Sequence, residues 1–147
     1  MYSKEQIQEL KREFWSSFAE KYPRKWLLYH TKIKAFSFKF YTDNKKIEVL
    51  LAIEQRDEDL REIYFQKIES LHTVLKEEFL PDVLFDQHYT LDNGKTISKI
   101  WVEKINISYH NKNNWDQIFC FFYEKMDAFE RFFYEYEDYI RDLETNV

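Results

Sequence analysis

Residues 33–55, IKAFSFKFYTDNKKIEVLLAIEQ, decide the fold because apolar and polar side chains alternate on both sides of a turn signal. A two-residue turn at Asp43-Asn44 sets the register of the predicted hairpin. The pairs that follow from this turn are Phe40 with Ile47, Phe38 with Val49, and Phe36 with Leu51. All six side chains then share one face, and Lys39 lies opposite Glu48 as a favourable cross-strand pair. The segment therefore predicts an antiparallel β-hairpin with one apolar face.

A second hairpin is predicted around Asn93-Gly94, the strongest turn dipeptide in the chain. A two-residue turn there pairs Leu91 with Thr96, Tyr89 with Ser98, Gln87 with Ile100, and Phe85 with Val102. The side chains expected to face the core are Val83, Phe85, Tyr89, Ile100 and Val102. The exposed strand face is expected to hold Leu84, Asp86, His88, Lys99, Trp101 and Glu103. We interpret that face as a solvated surface, with an enzyme site there as the weaker alternative.

Three helices with apolar side chains at helical spacing surround the hairpins. Their expected ranges, with the residue that caps each start, are 4–21 (Ser3), 58–79 (Asp57) and 115–143 (Asn114). The element order is therefore αββαββα. Such an order predicts an α+β fold in which a four-stranded antiparallel sheet, built from two hairpins, has helices packed on one face. The length fits one domain over residues 1–147.

The terminal helix carries more apolar surface than one sheet face needs. A second stripe on it includes Phe119, Phe132 and Tyr139. Large exposed apolar patches usually mark interfaces, so we expect a homodimer through these three residues. The competing interpretation is that the first helix or the 22–32 connector covers the stripe within one chain.

Composition excludes several classes of protein. A single glycine among 147 residues excludes Gly-rich phosphate loops, and the single Cys120 excludes an internal disulfide or a thiolate metal cluster. No apolar run approaches the ~18 residues of a membrane span. The first residues lack the apolar stretch of a signal peptide, so we expect no membrane association and a cytoplasmic location.

Candidate catalytic and metal-binding patterns are weak. Asp43 and the run Glu54-Gln55-Arg56 mimic the spacing of nuclease carboxylates that hold Mg²⁺. In the predicted hairpin, however, eleven residues of extended chain separate the two carboxylates by roughly 36 Å. The four histidines also lack paired ligand spacing. The sequence therefore predicts no metal site, no cofactor and no catalytic residue.

Basic residues concentrate near the start of the chain. Residues 1–46 carry eleven Lys and Arg against five Asp and Glu, whereas residues 47–147 carry eleven against twenty-two. Within residues 21–34, basic and aromatic side chains interleave, as they do in proteins that combine phosphate contacts with base stacking. The candidate nucleic-acid-binding residues are Lys21, Arg24, Lys25, Trp26, Lys32 and Lys34. The alternative is a connector with aromatic side chains on the core and charges in solvent.

An ordered set of features resembles a known family. The matching pieces are Phe14-Trp15, the Val49–Glu54 strand with the Asp57 helix, the stretches Lys76–Phe85 and Lys95–Glu103, and Trp115 at the start of a long helix. Together they resemble the bacterial domain-of-unknown-function family 4268. The resemblance implies a link to restriction or defence systems, because similar members occur alone or behind nuclease-like domains. It carries over no catalytic residues.

These observations favour an uncharacterised, non-catalytic interaction module that forms a homodimer and binds a protein partner. The alternative is a nucleic-acid-binding accessory of restriction or defence nucleases that binds through residues 21–34. An interaction module should present an aromatic surface patch, whereas a nucleic-acid accessory should present a continuous basic one.

Overall fold

The computed structural model describes residues 2–143 and follows the predicted order of elements. The main elements are α1 (Lys4–Lys21), β1 (Phe36–Thr42), β2 (Lys46–Ile53), α2 (Glu58–Ser70), α3 (His72–Val74), β3 (Leu84–Thr90), β4 (Thr96–Ile105) and α4 (Trp115–Arg141). A π-helical turn at Leu75–Phe79 follows α3, and a 3₁₀ turn at Lys112–Asn114 precedes α4. The predicted domain of residues 1–147 also includes residues 1 and 144–147, which lie outside the described residues.

The four strands form one antiparallel sheet in the order β1-β2-β4-β3, as the α+β prediction requires. Helices α1, α2 and α4 contribute to a single apolar core with one face of the sheet. Aromatic rings dominate that core: Phe14 of α1 lies 5.1 Å from Phe119 of α4, centroid to centroid, and Phe38 of β1 lies 5.5 Å from Phe129. The α1 start has the predicted capping box between Ser3 and Gln6.

The helix predicted over residues 58–79 is interrupted. Regular α-helix ends at Ser70, and the chain continues through α3 into the π-helical turn, where Leu80 N–H donates to the carbonyl of Leu75. The Ser70 hydroxyl donates to the carbonyl of Lys67 at 2.6 Å. A serine that bonds back to its own helix competes with the regular ladder, which accounts for a bend at this position.

The first hairpin has the predicted faces but a register shifted by two residues. Phe38 pairs with Leu51 rather than with Val49, and Lys39 lies opposite Leu50 rather than opposite Glu48. The reason is the turn: an Asp43 carboxylate oxygen accepts hydrogen bonds from the N–H groups of the residues two and three positions later. Asp43 therefore stands before the turn rather than in it. Because the shift is even, no side chain changes face.

The second hairpin differs from its prediction in two places. Its loop has three residues, because Leu91 N–H donates to the carbonyl of Lys95 and Gly94 has a φ of +87°. Tyr89 therefore pairs with Ile97, not with Ser98. A bulge between Asp86 and Tyr89 then shifts the register again, so that Phe85 pairs with Ile100, not with Val102. As a result Tyr89, which we expected in the core, lies on the opposite face.

The second apolar stripe of α4 is covered within the chain at two of its three predicted residues. Phe119 is 3% exposed and packs on α1, and Phe132 is 1% exposed and packs on Phe79. Tyr139 keeps 39% of its surface exposed, and its hydroxyl lies 2.6 Å from that of Ser70. Burial of Phe119 under α1 agrees with the competing interpretation, whereas Phe132 is covered by Phe79, which neither interpretation predicted. None of the helices described in residues 2–143 is apolar over the length needed to cross a bilayer.

Candidate interaction site on the uncovered sheet face

The sheet face opposite the helices forms a groove that we call the uncovered sheet face. Its floor consists of Leu50, Ala52 and Ile97. Partly buried hydrophobic side chains pack against that floor: Tyr89, Leu91 and Trp101. The groove has a volume of about 390 Å³. A near-continuous apolar run in β2 places side chains on both faces of the sheet, which produces this floor.

A buried ion pair crosses this face between the central strands. Glu48 of β2 is 2% exposed and Lys99 of β4 is 3% exposed, and Oε1 lies 2.8 Å from Nζ. The other oxygen of Glu48 lies 2.8 Å from the ammonium of Lys46. Lys99 Nζ also lies 4.0 Å from the ring centroid of Tyr89 and 4.4 Å from that of Trp101. Attraction to a carboxylate and two rings offsets part of the cost of dehydrating the Lys99 ammonium.

A second lysine–glutamate–lysine cluster lies at the other end of β2. The Glu54 carboxylate lies 2.9 Å from Lys39 Nζ and 3.2 Å from Lys95 Nζ. Burial disfavours ionisation of Glu54, but the two ammonium groups outweigh it and lower the pKa of the carboxyl. Glu54 is therefore ionised at neutral pH.

The turn between β1 and β2 adds a third acidic group to the groove. Burial raises the pKa of Asp43, but hydrogen bonds from Lys45 N–H, from the Tyr41 hydroxyl and from Lys46 N–H outweigh burial and lower it. Burial together with the bond to Asp43 raises the pKa of Tyr41 to about 12. The hydrogen bond to Glu48 raises the pKa of Lys46. Each of these shifts stabilises the protonation state present at neutral pH, so none of these three groups is poised for proton transfer there.

The six residues predicted on the exposed strand face do not share one environment, and of these Leu84 is exposed as expected. Lys99 is buried rather than exposed, which corrects the expectation for that residue. Trp101 and Glu103 are half-buried and joined by a hydrogen bond of 2.8 Å from Nε1 to Oε1. Asp86 accepts a hydrogen bond from the backbone N–H of His88, whose side chain is exposed beside the bulge.

The basic segment 21–34 divides into paired and exposed cations. Lys21 lies 2.7 Å from Asp116, and Arg24 forms ion pairs of 2.8 Å with both Asp127 and Glu130. The remaining three cations are exposed: Lys25, Lys32 and Lys34.

The candidate aromatic residue of that segment, Trp26, is engaged in packing. It contacts the Arg24 guanidinium at 4.3 Å and the rings of Phe18, Phe40 and Tyr123. Trp26 is therefore half-buried among these groups rather than fully open to a base.

The acidic residues considered for metal binding occupy opposite ends of β2. Asp43 precedes the turn before β2, and Glu54 follows the end of the strand. Within residues 2–143 no three His, Cys, Asp or Glu side chains are grouped so that they could hold a metal ion.

The Glu48–Lys99 pair was not predicted from the sequence, because Glu48 was expected opposite Lys39 and Lys99 on a solvated face. The signal that could have revealed an apolar floor on the second face is the run of five apolar residues 49–53, which is typical of a strand with apolar side chains on both sides.

Comparison with known proteins identifies one family. A family model described as "Domain of unknown function (DUF4268)" matches residues 10–137. No curated protein matches the chain, and no solved structure matches it.

Proposed function

This chain belongs to the DUF4268 family, and from that premise we propose that it is a cytoplasmic, non-catalytic interaction module that binds a protein partner on the uncovered sheet face. The observation that carries the proposal is the groove itself. It combines an apolar floor with aromatic side chains and fixed charges on a face that the core helices leave open. Protein interfaces combine these features, with an apolar centre and a polar rim.

The ion pairs of the groove support a binding role over a catalytic one. Its two glutamates are each held between two lysines, at distances of 2.8 to 3.2 Å. A general acid or base works best with a pKa near the working pH, whereas, despite burial, the two lysines beside Glu54 lower the pKa of that carboxyl. Fixed charges of this kind determine the orientation and specificity of a partner.

A site-specific photo-crosslinker tests the proposal. Tyr41, which is 40% exposed at the rim of the groove, is replaced by a benzoylphenylalanine in the full chain. Tyr134, which is 57% exposed on α4, receives the same replacement as the matched control. We expect a protein adduct at position 41 that disappears when Leu91→Glu alters the groove, and none at 134. Equal adducts at both positions, or none at 41, would contradict the proposal.

The second candidate function is the nucleic-acid-binding accessory of restriction or defence nucleases. The exposed Lys25, Lys32 and Lys34 favour it, together with Tyr29, which is 72% exposed. Its test is the affinity for an oligothymidylate at two salt concentrations, since phosphate contacts weaken as salt rises. Lys25→Glu combined with Lys32→Glu should abolish this binding. Lys76→Glu, an exposed lysine beyond the basic segment, is the control.

Self-association through α4 also remains a proposal, although α4 exposes fewer of the predicted interface residues than the sequence suggested. Phe119 and Phe132 lie in the core, so Tyr139 is the one of the three predicted interface residues that is exposed to a second copy. Symmetric dimers are the commonest oligomers of soluble proteins. Sedimentation equilibrium of the full chain measures the oligomeric state directly.

A further inference from the structure

The outer edge of β1 presents unpaired backbone groups. In an antiparallel pair, successive residues alternate between hydrogen-bonding inward and pointing outward. Phe38 N–H donates outward to the carbonyl of Leu28, and Asp43 N–H donates inward to Lys46. By this alternation the N–H and C=O of Phe40 and the N–H of Thr42 point outward. No partner for these groups is present among residues 2–143.

Two apolar depressions flank this stretch of edge and share the side chains of Trp15 and Phe40. One, of about 350 Å³, also includes Leu28 and the exposed Tyr29. The other, of about 470 Å³, also includes Trp26. A strand added beside β1 would place alternate side chains toward the same side of the sheet, within reach of these depressions.

The connector beside the edge has a strained backbone. Leu28, Lys32 and Ala35 adopt left-handed φ values of +47°, +64° and +59°. Non-glycine residues pay energy for this conformation, and such strain concentrates at binding sites. In this strained connector the carbonyl of Leu28 lies on the β1 edge and accepts a hydrogen bond from Phe38 N–H, as the first residue of an added strand would. Within residues 2–143, the connector forms no further backbone bond of this kind at Phe40.

The charge around the edge specifies an acidic partner. Residues 21–46, which contain the connector and β1, hold eight Lys and Arg and one acidic residue, Asp43. Four of these cations are paired with carboxylates of other segments: Lys21, Arg24, Lys39 and Lys46. The other four are exposed: Lys25, Lys32, Lys34 and Lys45. Lys25 lines one depression, and Lys39, which is paired with Glu54, lines the other. The opposite edge of the sheet, formed by β3, is less suited to strand addition because the bulge between Asp86 and Tyr89 distorts that strand.

From these four observations we infer that the β1 edge binds an extended, acidic peptide segment of another protein by strand addition. The peptide pairs its backbone with Phe40 and Thr42. Its apolar side chains, at alternate positions, enter the two depressions, and its carboxylates face the lysines. This surface is the edge of the sheet, and it adjoins the groove of the uncovered sheet face, with which it shares Lys39 and Phe40.

The test starts from a phage-displayed library of random peptides of about seven residues, a typical strand length, selected on the full chain. Enriched peptides should carry Asp or Glu together with apolar residues at alternate positions. A synthetic copy should slow amide hydrogen exchange at Phe40 and Thr42 by at least about tenfold, because these amides gain a backbone partner. N-methylation of alternate peptide amides should abolish binding, since it removes the donors while keeping the side chains.

Two protein variants complete the test. Lys25→Glu should weaken binding of the synthetic peptide roughly fivefold, as expected for one exposed charge, whereas Lys76→Glu should leave it unchanged.

Enrichment of basic peptides, no enrichment, or full binding of the N-methylated copy would overturn the inference. A preference of the same surface for oligothymidylate over the peptide would also overturn it and assign the surface to nucleic acid. Pairing of β1 with a second copy would show as concentration-dependent protection of Phe40 without peptide, and that result too would overturn it.

Discussion

Glu48 and Lys99 form an ion pair of 2.8 Å across the two central strands, on the face of the sheet that α1, α2 and α4 leave open. Both side chains are almost fully excluded from water. Dehydrating two charges costs free energy that their attraction only partly returns, and removing one partner leaves the other charge buried without compensation. Removing one member of the pair should therefore destabilise the fold and also change the groove.

Glu48→Gln should lower the free energy of unfolding by roughly 3–5 kcal/mol, because it leaves the Lys99 ammonium buried without a carboxylate. Lys99→Met should cost less, since Glu48 keeps the ammonium of Lys46 at 2.8 Å. Urea unfolding of both variants measures the difference.

A matched control for this prediction is Glu13→Gln, which removes an exposed ion pair with Lys112. Its expected cost is below about 1 kcal/mol. The double variant Glu48→Gln with Lys99→Met should recover part of the loss of the first single variant. Equal and small losses for both single variants would show that the pair is hydrated in solution.

Acid should weaken the turn and the second charge cluster. The pKa values of Asp43 and Glu54 are lowered from 3.8 and 4.5, so the folded state binds fewer protons than the unfolded state at these groups. Their stabilisation is complete above pH 4.5 and is lost as the pH falls through the folded-state pKa values. Urea midpoints measured between pH 7 and pH 3 should therefore decrease at the acid end.

The variant Glu54→Gln isolates one contribution to this acid sensitivity. It should be less stable than the parent chain at neutral pH, and its stability should fall less steeply below pH 4.5. Glu58→Gln, at an exposed residue of the first turn of α2, is the comparison at a glutamate outside the cluster. A parallel pH dependence for the parent chain and Glu54→Gln would contradict the assignment.

Gly94 should be replaceable only at the cost of backbone strain. Its φ is +87°, and a Cβ built on it would meet no atom within 4 Å. Gly94→Ala should therefore destabilise the chain by about 1–2 kcal/mol from conformation alone, and Gly94→Asn by less, because Asn tolerates left-handed φ. Thermal unfolding of the two variants decides this. A larger loss with Asn than with Ala would point to a steric clash instead.

Alternation along the strands of the first hairpin was sufficient to predict which of its side chains face the core. Phe36, Phe38 and Phe40 share the core with Ile47, Val49 and Leu51, although the pairs differ from those predicted. The register escaped prediction because it depends on one hydrogen-bonding choice at Asp43, whose carboxylate holds two backbone N–H groups. Periodicity contains no information about such a bond.

The candidate site could not be predicted because it depends on the order of the strands. Glu48 and Lys99 are fifty-one positions apart, and they become neighbours only because β2 lies beside β4 in the sheet. Even then the Cα partner of Lys99 is Ala52, so the pair forms through side chains that extend along their strands. The move of Tyr89 onto the same face likewise requires the bulge in β3.

Phe132→Lys should unfold the chain rather than dissociate an oligomer. Phe132 is almost fully buried and lies 5.6 Å from Phe79 and 5.4 Å from Tyr136, centroid to centroid. The substitution removes a buried ring and places an ammonium in the core, and the loss of the ring alone is worth about 3–5 kcal/mol. Tyr134→Lys, two residues away and exposed, should change stability by less than about 0.5 kcal/mol. Near-ultraviolet circular dichroism and sedimentation equilibrium of both variants distinguish the outcomes. If the Phe132→Lys variant were folded and monomeric while the parent chain was dimeric, Phe132 would instead belong to a dimer interface.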